Sequence, residues 1–129
     1  MTSPSSARIV LRRAALAAAG GTVGTAMRLG LGMLIDDAPA AVLIANVAGA
    51  LLLGILTARL PHSDLRILLG TGVLGGFTTY SAFAVGSVEL WSAAPALAAG
   101  YIVVSLIGGL LAAWLGLRLG GLLGTRSAS

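Results

Sequence analysis

Apolar runs of membrane-spanning length, parted by short polar gaps, constrain this chain more than any other feature. A helix needs about 20 apolar residues to cross roughly 30 Å of hydrocarbon. Residues 11–34, 40–58, 67–90 and 96–119 meet that length, and a chain of 129 residues leaves no room for a sizeable domain outside them. Only 9% of the residues are charged, against about 25% in a soluble domain. The expected fold is all-α and integral to the membrane, with four transmembrane helices over 11–119, a disordered segment at 1–10 and a short tail at 120–129.

The charges mark the gaps. Asp36, Asp37 and Pro39 form one turn, and Arg59, Pro61, His62, Asp64 and Arg66 form the next. All eight basic residues are Arg, and they outnumber the four acids to give a formal charge of +4. In a soluble protein that balance would suggest nucleic acid; here Arg falls mainly between apolar runs, where it sets membrane orientation. Nucleic acid is therefore not an expected partner, and membrane lipid is. The absence of Cys excludes disulfides and thiol chemistry, and His62 alone makes no metal site. No enzymatic constellation is present. Arg12-Arg13 before an apolar stretch could pass for a twin-arginine signal. A signal core is about 7–15 residues long, whereas this run continues past Arg28 to Ile35.

Within the third run, Gly70, Gly72, Gly75 and Gly76 precede Thr78-Thr79-Tyr80-Ser81. Glycine costs a helix about 1 kcal/mol per residue relative to Ala, so the cluster predicts a third helix broken at mid-membrane. Carbonyls freed there need a partner. Asn46 is the strongly polar side chain of the second run; such a residue serves most commonly as interhelical glue, and ligand contact is the alternative. Arg28 either snorkels to the interface or lines the mouth of an anion pathway, and spacing alone does not separate the two. Tyr80 and Phe83 share a helix face, as do Tyr101 and Ser105. Aromatic faces of this kind are usually packing, unless polar groups such as Thr79, Ser81 and Asn46 converge on them. Ring edges with hydroxyl and amide donors can replace the water around a small anion without a fixed charge that would bind it too tightly to release.

Three segments resemble signatures of the Fluc family of bacterial fluoride channels, also called CrcB. They are Gly20-Gly21-Thr22-Val23-Gly24-Thr25-Ala26-Met27-Arg28, Ala45-Asn46-Val47-Ala48-Gly49, and the stretch from Gly72 through Gly75-Gly76-Phe77-Thr78-Thr79-Tyr80-Ser81-Ala82 to Phe83. The last is the specific one. The resemblance implies a dual-topology, antiparallel dimer in the bacterial inner membrane, with two pathways that let fluoride leave the cytoplasm. It makes Asn46 a pathway amide, puts Tyr80 and Phe83 at the two aromatic positions that meet the ion, and sets Thr79, Ser81, Tyr101 and Ser105 along the same route. It also implies a structural sodium ion at the dimer interface, held by the backbone carbonyls of Gly75 and Thr78. Two residues depart from the family pattern: Tyr80 stands where Phe is usual, and Ala82 where Thr is common. The next residue on the Tyr101–Ser105 face is Gly109, so the hydroxyl track is short.

Two other classes compete. A small multidrug exporter needs a membrane-embedded carboxylate, and the acid nearest a span is Glu89, at the end of the third. A non-transporting scaffold needs only small-residue packing such as Gly20 to Gly24, which leaves Asn46 and the hydroxyl-aromatic cluster without a role. If the four spans hold, Arg8, Arg12, Arg13, Arg59, Arg66, Arg118 and Arg126 fall on one side, with Asp36, Asp37, Glu89 and Arg28 toward the other. That bias predicts both termini in the cytoplasm. It also suggests pairing with a second, oppositely oriented homologue, or a role as the non-conducting partner of such a pair.

Overall fold

The computed structural model describes residues 4–125. Five helical segments make up the fold: α1 (Pro4–Leu34), α2 (Ala38–Arg59), α3 (64–77), α4 (Tyr80–Ala93) and α5 (Pro95–Thr125). Their ends follow from local chemistry. Asp37 caps α2, its side chain accepting from the Ala40 amide at 2.9 Å, with Pro39 in the first turn where no amide hydrogen is required. Ser63 caps α3 by accepting from the Arg66 amide at 3.3 Å. Pro95 opens α5.

Helix α3 is not uniform. After Asp64–Arg66 it widens into π-helical turns over Ile67–Leu74, so that the Gly75 amide reaches back five residues to the Gly70 carbonyl, and it closes with Gly75–Phe77. Thr78 (ψ 153°) and Thr79 (φ −148°, ψ 120°) are then extended, and α4 begins at Tyr80. These two β-branched residues suit extended backbone.

Glycine decides which helices pack together. Gly20, Gly21 and Gly24 of α1 lie against α3, with Gly20 on Gly72, Gly21 on Gly76 and Gly24 on Val73. A Cβ on Gly72 would stand 2.8 Å from the Gly20 Cα, and one on Gly24 would overlap the Val73 carbonyl oxygen. The two backbones therefore touch, as small-residue motifs in membrane helices allow. They run parallel: Arg12 pairs with Asp64, and Gly20 meets Gly72, at the same offset. The second pair is α2 with α5, where a Cβ on Gly116 would lie 3.1 Å from the Gly54 Cα, and one on Gly120 would lie 2.7 Å from the Ala58 Cβ. That pair is parallel too.

Three stretches, Ala38–Arg59, Asp64–Ala93 and Pro95–Leu123, are long and apolar enough to cross a membrane among the described residues. Helix α1 has the length, but Gly, Thr and Arg28 lower its hydropathy. No large side chain among the described residues is fully buried, while Met33, Leu34 and Leu110 are more than 70% exposed. An outer surface so apolar belongs in lipid or against another subunit.

At both ends the helices outrun the expected limits. Segment 1–10 was expected to be disordered, yet α1 starts at Pro4, and in place of a tail from residue 120 α5 continues to Thr125. Alanine and leucine near both termini favour helix over coil. Residues 1–3 and 126–129, including Arg126, lie outside the described residues. Arg12, Arg13, Arg59, Arg66 and Arg118 gather at one end of the helices, while Asp36, Asp37 and Glu89 occupy the other.

If backbone contact holds α1 to α3, Gly24→Val is expected to destabilise the protein by about 1–3 kcal/mol through overpacking. Gly30→Ala, where a Cβ meets nothing within 4 Å, should leave stability unchanged or higher. Reversible unfolding in detergent checks both, and equal stability of the two variants would contradict the packing described.

Candidate anion site

The site forms where the backbone leaves the helix. The Thr78 amide still closes the last helical turn on the Leu74 carbonyl at 3.0 Å, but the Thr79 amide and carbonyl fall outside any helix, and a neighbouring helix supplies their partners. Asn46 of α2 meets Thr79 on both sides: its Oδ1 accepts from the Thr79 amide at 2.8 Å, and its Nδ2 donates to the Thr79 carbonyl at 3.1 Å. One Nδ2 hydrogen is left over. The Thr79 hydroxyl caps α4, accepting from the Ala82 amide at 3.2 Å, and the Thr78 hydroxyl donates to the Leu74 carbonyl at 3.0 Å. Gly49 makes room for the Thr78 methyl group, which a Cβ at that position would overlap.

A cavity of about 290 Å³ opens beside this junction, lined by Asn46, Thr78, Thr79, Tyr80, Phe83, Ser105 and Leu106. No charged residue lines it. The Tyr80 and Phe83 rings lie 6.1 Å apart, and Phe83 lies 5.5 Å from the Tyr101 ring, both pairs tilted. Tilted pairs bring the positive edge of one ring toward the negative face of the next. The Ser105 hydroxyl is buried without a hydrogen-bond partner, as is that of Tyr101. A buried donor left unmade costs about 1–3 kcal/mol, so this cavity holds capacity for an acceptor.

Not every expected residue lines it. Ser81 is exposed, and its hydroxyl lies 3.2 Å from that of Thr79. Tyr101 borders a neighbouring, largely apolar cavity between Asp37, Leu90 and Leu97, and reaches the site only through its contact with Phe83. Arg28 lies elsewhere: its Nε donates to the Gly76 carbonyl at 3.3 Å, and it borders a separate cavity with Met33 and Asp36. Thr25, one turn earlier, donates to the same carbonyl at 3.4 Å. That second donor was legible in principle, since Thr25 and Arg28 are three apart on one helix face.

The carbonyls of Gly75 and Thr78 accept no hydrogen bond among the described residues, because the Thr79 amide that would reach Gly75 is taken by Asn46. Backbone oxygens without donors are suitable ligands for a hard cation. Among the described residues, no three His, Asp or Glu side chains come together for the same purpose. Gly75 itself needs no special backbone, with φ −65° and only ordinary contact for an added Cβ. At this junction it is the next residue, Gly76, that has no room for a Cβ, against the Gly21 carbonyl.

The sequence matches the family described as "CrcB-like protein, Camphor Resistance (CrcB)" over residues 15–117. The chain belongs to the CrcB family. Among similar CrcB relatives, a fluoride-specific ion channel of Rhodococcus jostii is 45% identical over 108 residues, covering 81% of this chain and 95% of that protein. Proteins of the same name from Bacillus subtilis and Paracoccus denitrificans are 43% and 41% identical. They cover 78% and 80% of this chain, and 82% and 90% of their own lengths. The part matched to the CrcB family takes in Asn46, Thr78, Thr79 and Phe83, and so the whole of the cavity lining.

Loss of the two Asn46 bonds should be costly, because the Thr79 amide and carbonyl have no other partner. Asn46→Ala is expected to lower stability in detergent by about 1–3 kcal/mol, and Ser105→Ala, which removes an unpartnered hydroxyl, by less. A stable Asn46→Ala variant would show that the junction does not depend on this amide.

Proposed function

We propose that this chain is a subunit of a fluoride-selective channel that lets fluoride leave the cytoplasm and so protects the cell from its toxicity. The observation that carries the reading is a neutral cavity with unspent donors, the second Nδ2 hydrogen of Asn46 and the Ser105 hydroxyl, lined as well by the aromatic Tyr80 and Phe83. Family membership and the names of the relatives support it.

Fluoride is small and strongly hydrated, so a pathway must offer hydrogen-bond donors close together as water is stripped. Uncharged donors also let the ion go, since conduction needs sites that are weak and multiple. Asn46 serves as both structural tie and pathway amide, one N–H for each task. Phe83 sits between Tyr80 and Tyr101, and Thr79, Ser81, Tyr101 and Ser105 extend the route on either side. Arg28 steadies the α3 end through Gly76, with its charge kept outside the cavity, and acts as a structural residue rather than as the mouth of the pore.

In this reading α1 is the fourth span and the extended Thr78 and Thr79 lie at mid-membrane. The assembly is an antiparallel dimer in the bacterial inner membrane. The Gly75 and Thr78 carbonyls of both subunits would then hold a structural sodium ion at the interface. Its charge would stabilise backbone oxygens that otherwise lack partners. Glu89, the acid an exporter would need, is exposed at the far end of α4, which disfavours that alternative.

The clustering of Arg at one end favours a further refinement. Positive residues remain in the cytoplasm, so this chain inserts with both termini inside and pairs with an oppositely oriented homologue. That homologue supplies the opposing aromatics and relaxes the demand on Tyr80.

Vesicles containing the channel, alone or with its inverted homologue, should release fluoride and retain chloride. Phe83→Ile should cut fluoride release at least tenfold, roughly the loss of one charge-assisted contact, with assembly preserved. Wild-type release by Phe83→Ile would remove that ring from the pathway. A C-terminal reporter active on one side only should signal from the cytoplasm. Signal from both sides, with efflux by the chain alone, would restore a homodimer.

A further inference from the structure

At the Arg-rich end, a second polar cavity of about 300 Å³ lies between α1 and α3, lined by Arg13, His62, Ser63, Arg66, Ile67 and Thr71. It is separate from the anion site and shares no residue with it. Its charge balance is one-sided. Asp64, the adjacent acid, is engaged by Arg12 rather than by the Arg13 and Arg66 that line the cavity. Among the described residues Arg13 makes no ion pair, and Arg66 spends one N–H on the Leu60 carbonyl at 3.4 Å, which leaves other donors of its guanidinium for a ligand.

We propose that this cavity binds the phosphate of an anionic phospholipid headgroup. Two guanidinium groups, an imidazole and two hydroxyls are the donor set that a phosphate diester accepts, and Arg suits its planar, bidentate geometry. The location favours lipid over free phosphate. Ile67 forms part of the lining, and Thr71 sits one turn deeper along a helix that enters the apolar segment. Val10, Leu11 and Leu65 beside the site are 49–70% exposed, which gives acyl chains an apolar flank to lie against. Basic pockets between membrane helices on the cytoplasmic side recognise anionic headgroups in this way. A lipid there would bridge the start of α1 to the start of α3, reinforcing the Arg12–Asp64 pair. The inference does not depend on which ion the chain conducts.

The test uses the purified full-length protein in neutral detergent, with bound lipid counted by native mass spectrometry and thermal stability measured in parallel. Added phosphatidylglycerol should be retained and should raise Tm, while phosphatidylcholine and inorganic phosphate at equal concentration should do neither. Arg13→Gln and Arg66→Gln should each weaken phosphatidylglycerol retention about fivefold. Arg59→Gln, which removes a charge at the same end but outside the cavity, should leave it unchanged. Arg13 has an exposed side chain, so its variant keeps the test open even if Arg66→Gln fails to fold. Equal loss in the Arg59 variant would overturn the site in favour of general charge attraction. An equal effect of inorganic phosphate would overturn the lipid assignment.

Discussion

The two hydrogen bonds between the Asn46 amide and the Thr79 backbone are the interaction on which the rest depends. An amide and a carbonyl outside regular helix are expensive in an apolar medium. One side chain on another helix meets both. With that cost removed, Thr78 and Thr79 can stay extended, α4 can start afresh at Tyr80 with its own cap, and Tyr80 and Phe83 turn toward the cavity. The same tie diverts the Thr79 amide from Gly75, which leaves a carbonyl for another ligand.

The glycine seams serve this arrangement. Backbone contact between α1 and α3 brings Thr25 and Arg28 to the Gly76 carbonyl, so the last turn before the junction is held from one side by α1 and from the other by Asn46. Contact between α2 and α5 brings Ser105 to face Asn46 across the cavity. The neutral, donor-lined space is bounded by α2, α5, the Thr78–Thr79 junction and the start of α4, while the outer surfaces of the helices remain apolar.

Much of this was legible from residue types. The apolar runs mark the helices, the turn at Asp36, Asp37 and Pro39 falls where α2 begins, and the expected break in the third run coincides with the extended Thr78 and Thr79 just after Gly75-Gly76-Phe77. Asn46, Thr79, Tyr80, Phe83 and Ser105 were named from the sequence and line one cavity. Residue type alone favours glue for Asn46 and the resemblance makes it a pathway amide; its geometry spends one N–H on the Thr79 carbonyl and leaves the other free. Other features depend on tertiary contact that no local pattern encodes. The π-helical turns over Ile67–Leu74 accompany the close approach of α1, a need for a bare Cα falls on Gly76 rather than Gly75, and Ser81 is exposed, meeting the cavity lining only through the Thr79 hydroxyl. Arg28 had two readings, and its bond to a backbone carbonyl on another helix could not be seen from spacing. The Ser-rich start of the chain suggests disorder from composition alone, whereas α1 already begins at Pro4.

The central claim is that Asn46 divides its amide between backbone and ion, and it can be observed at that amide. In a fluoride titration of the channel followed by NMR, with the Asn46 side-chain nitrogen isotopically labelled, its two N–H protons report separately. The expected result is that one proton shifts strongly with fluoride and not with chloride, while the proton bonded to the Thr79 carbonyl stays in place. If neither proton responds to fluoride, or if chloride shifts both to the same degree, Asn46 is a structural tie alone and the fluoride pathway runs elsewhere.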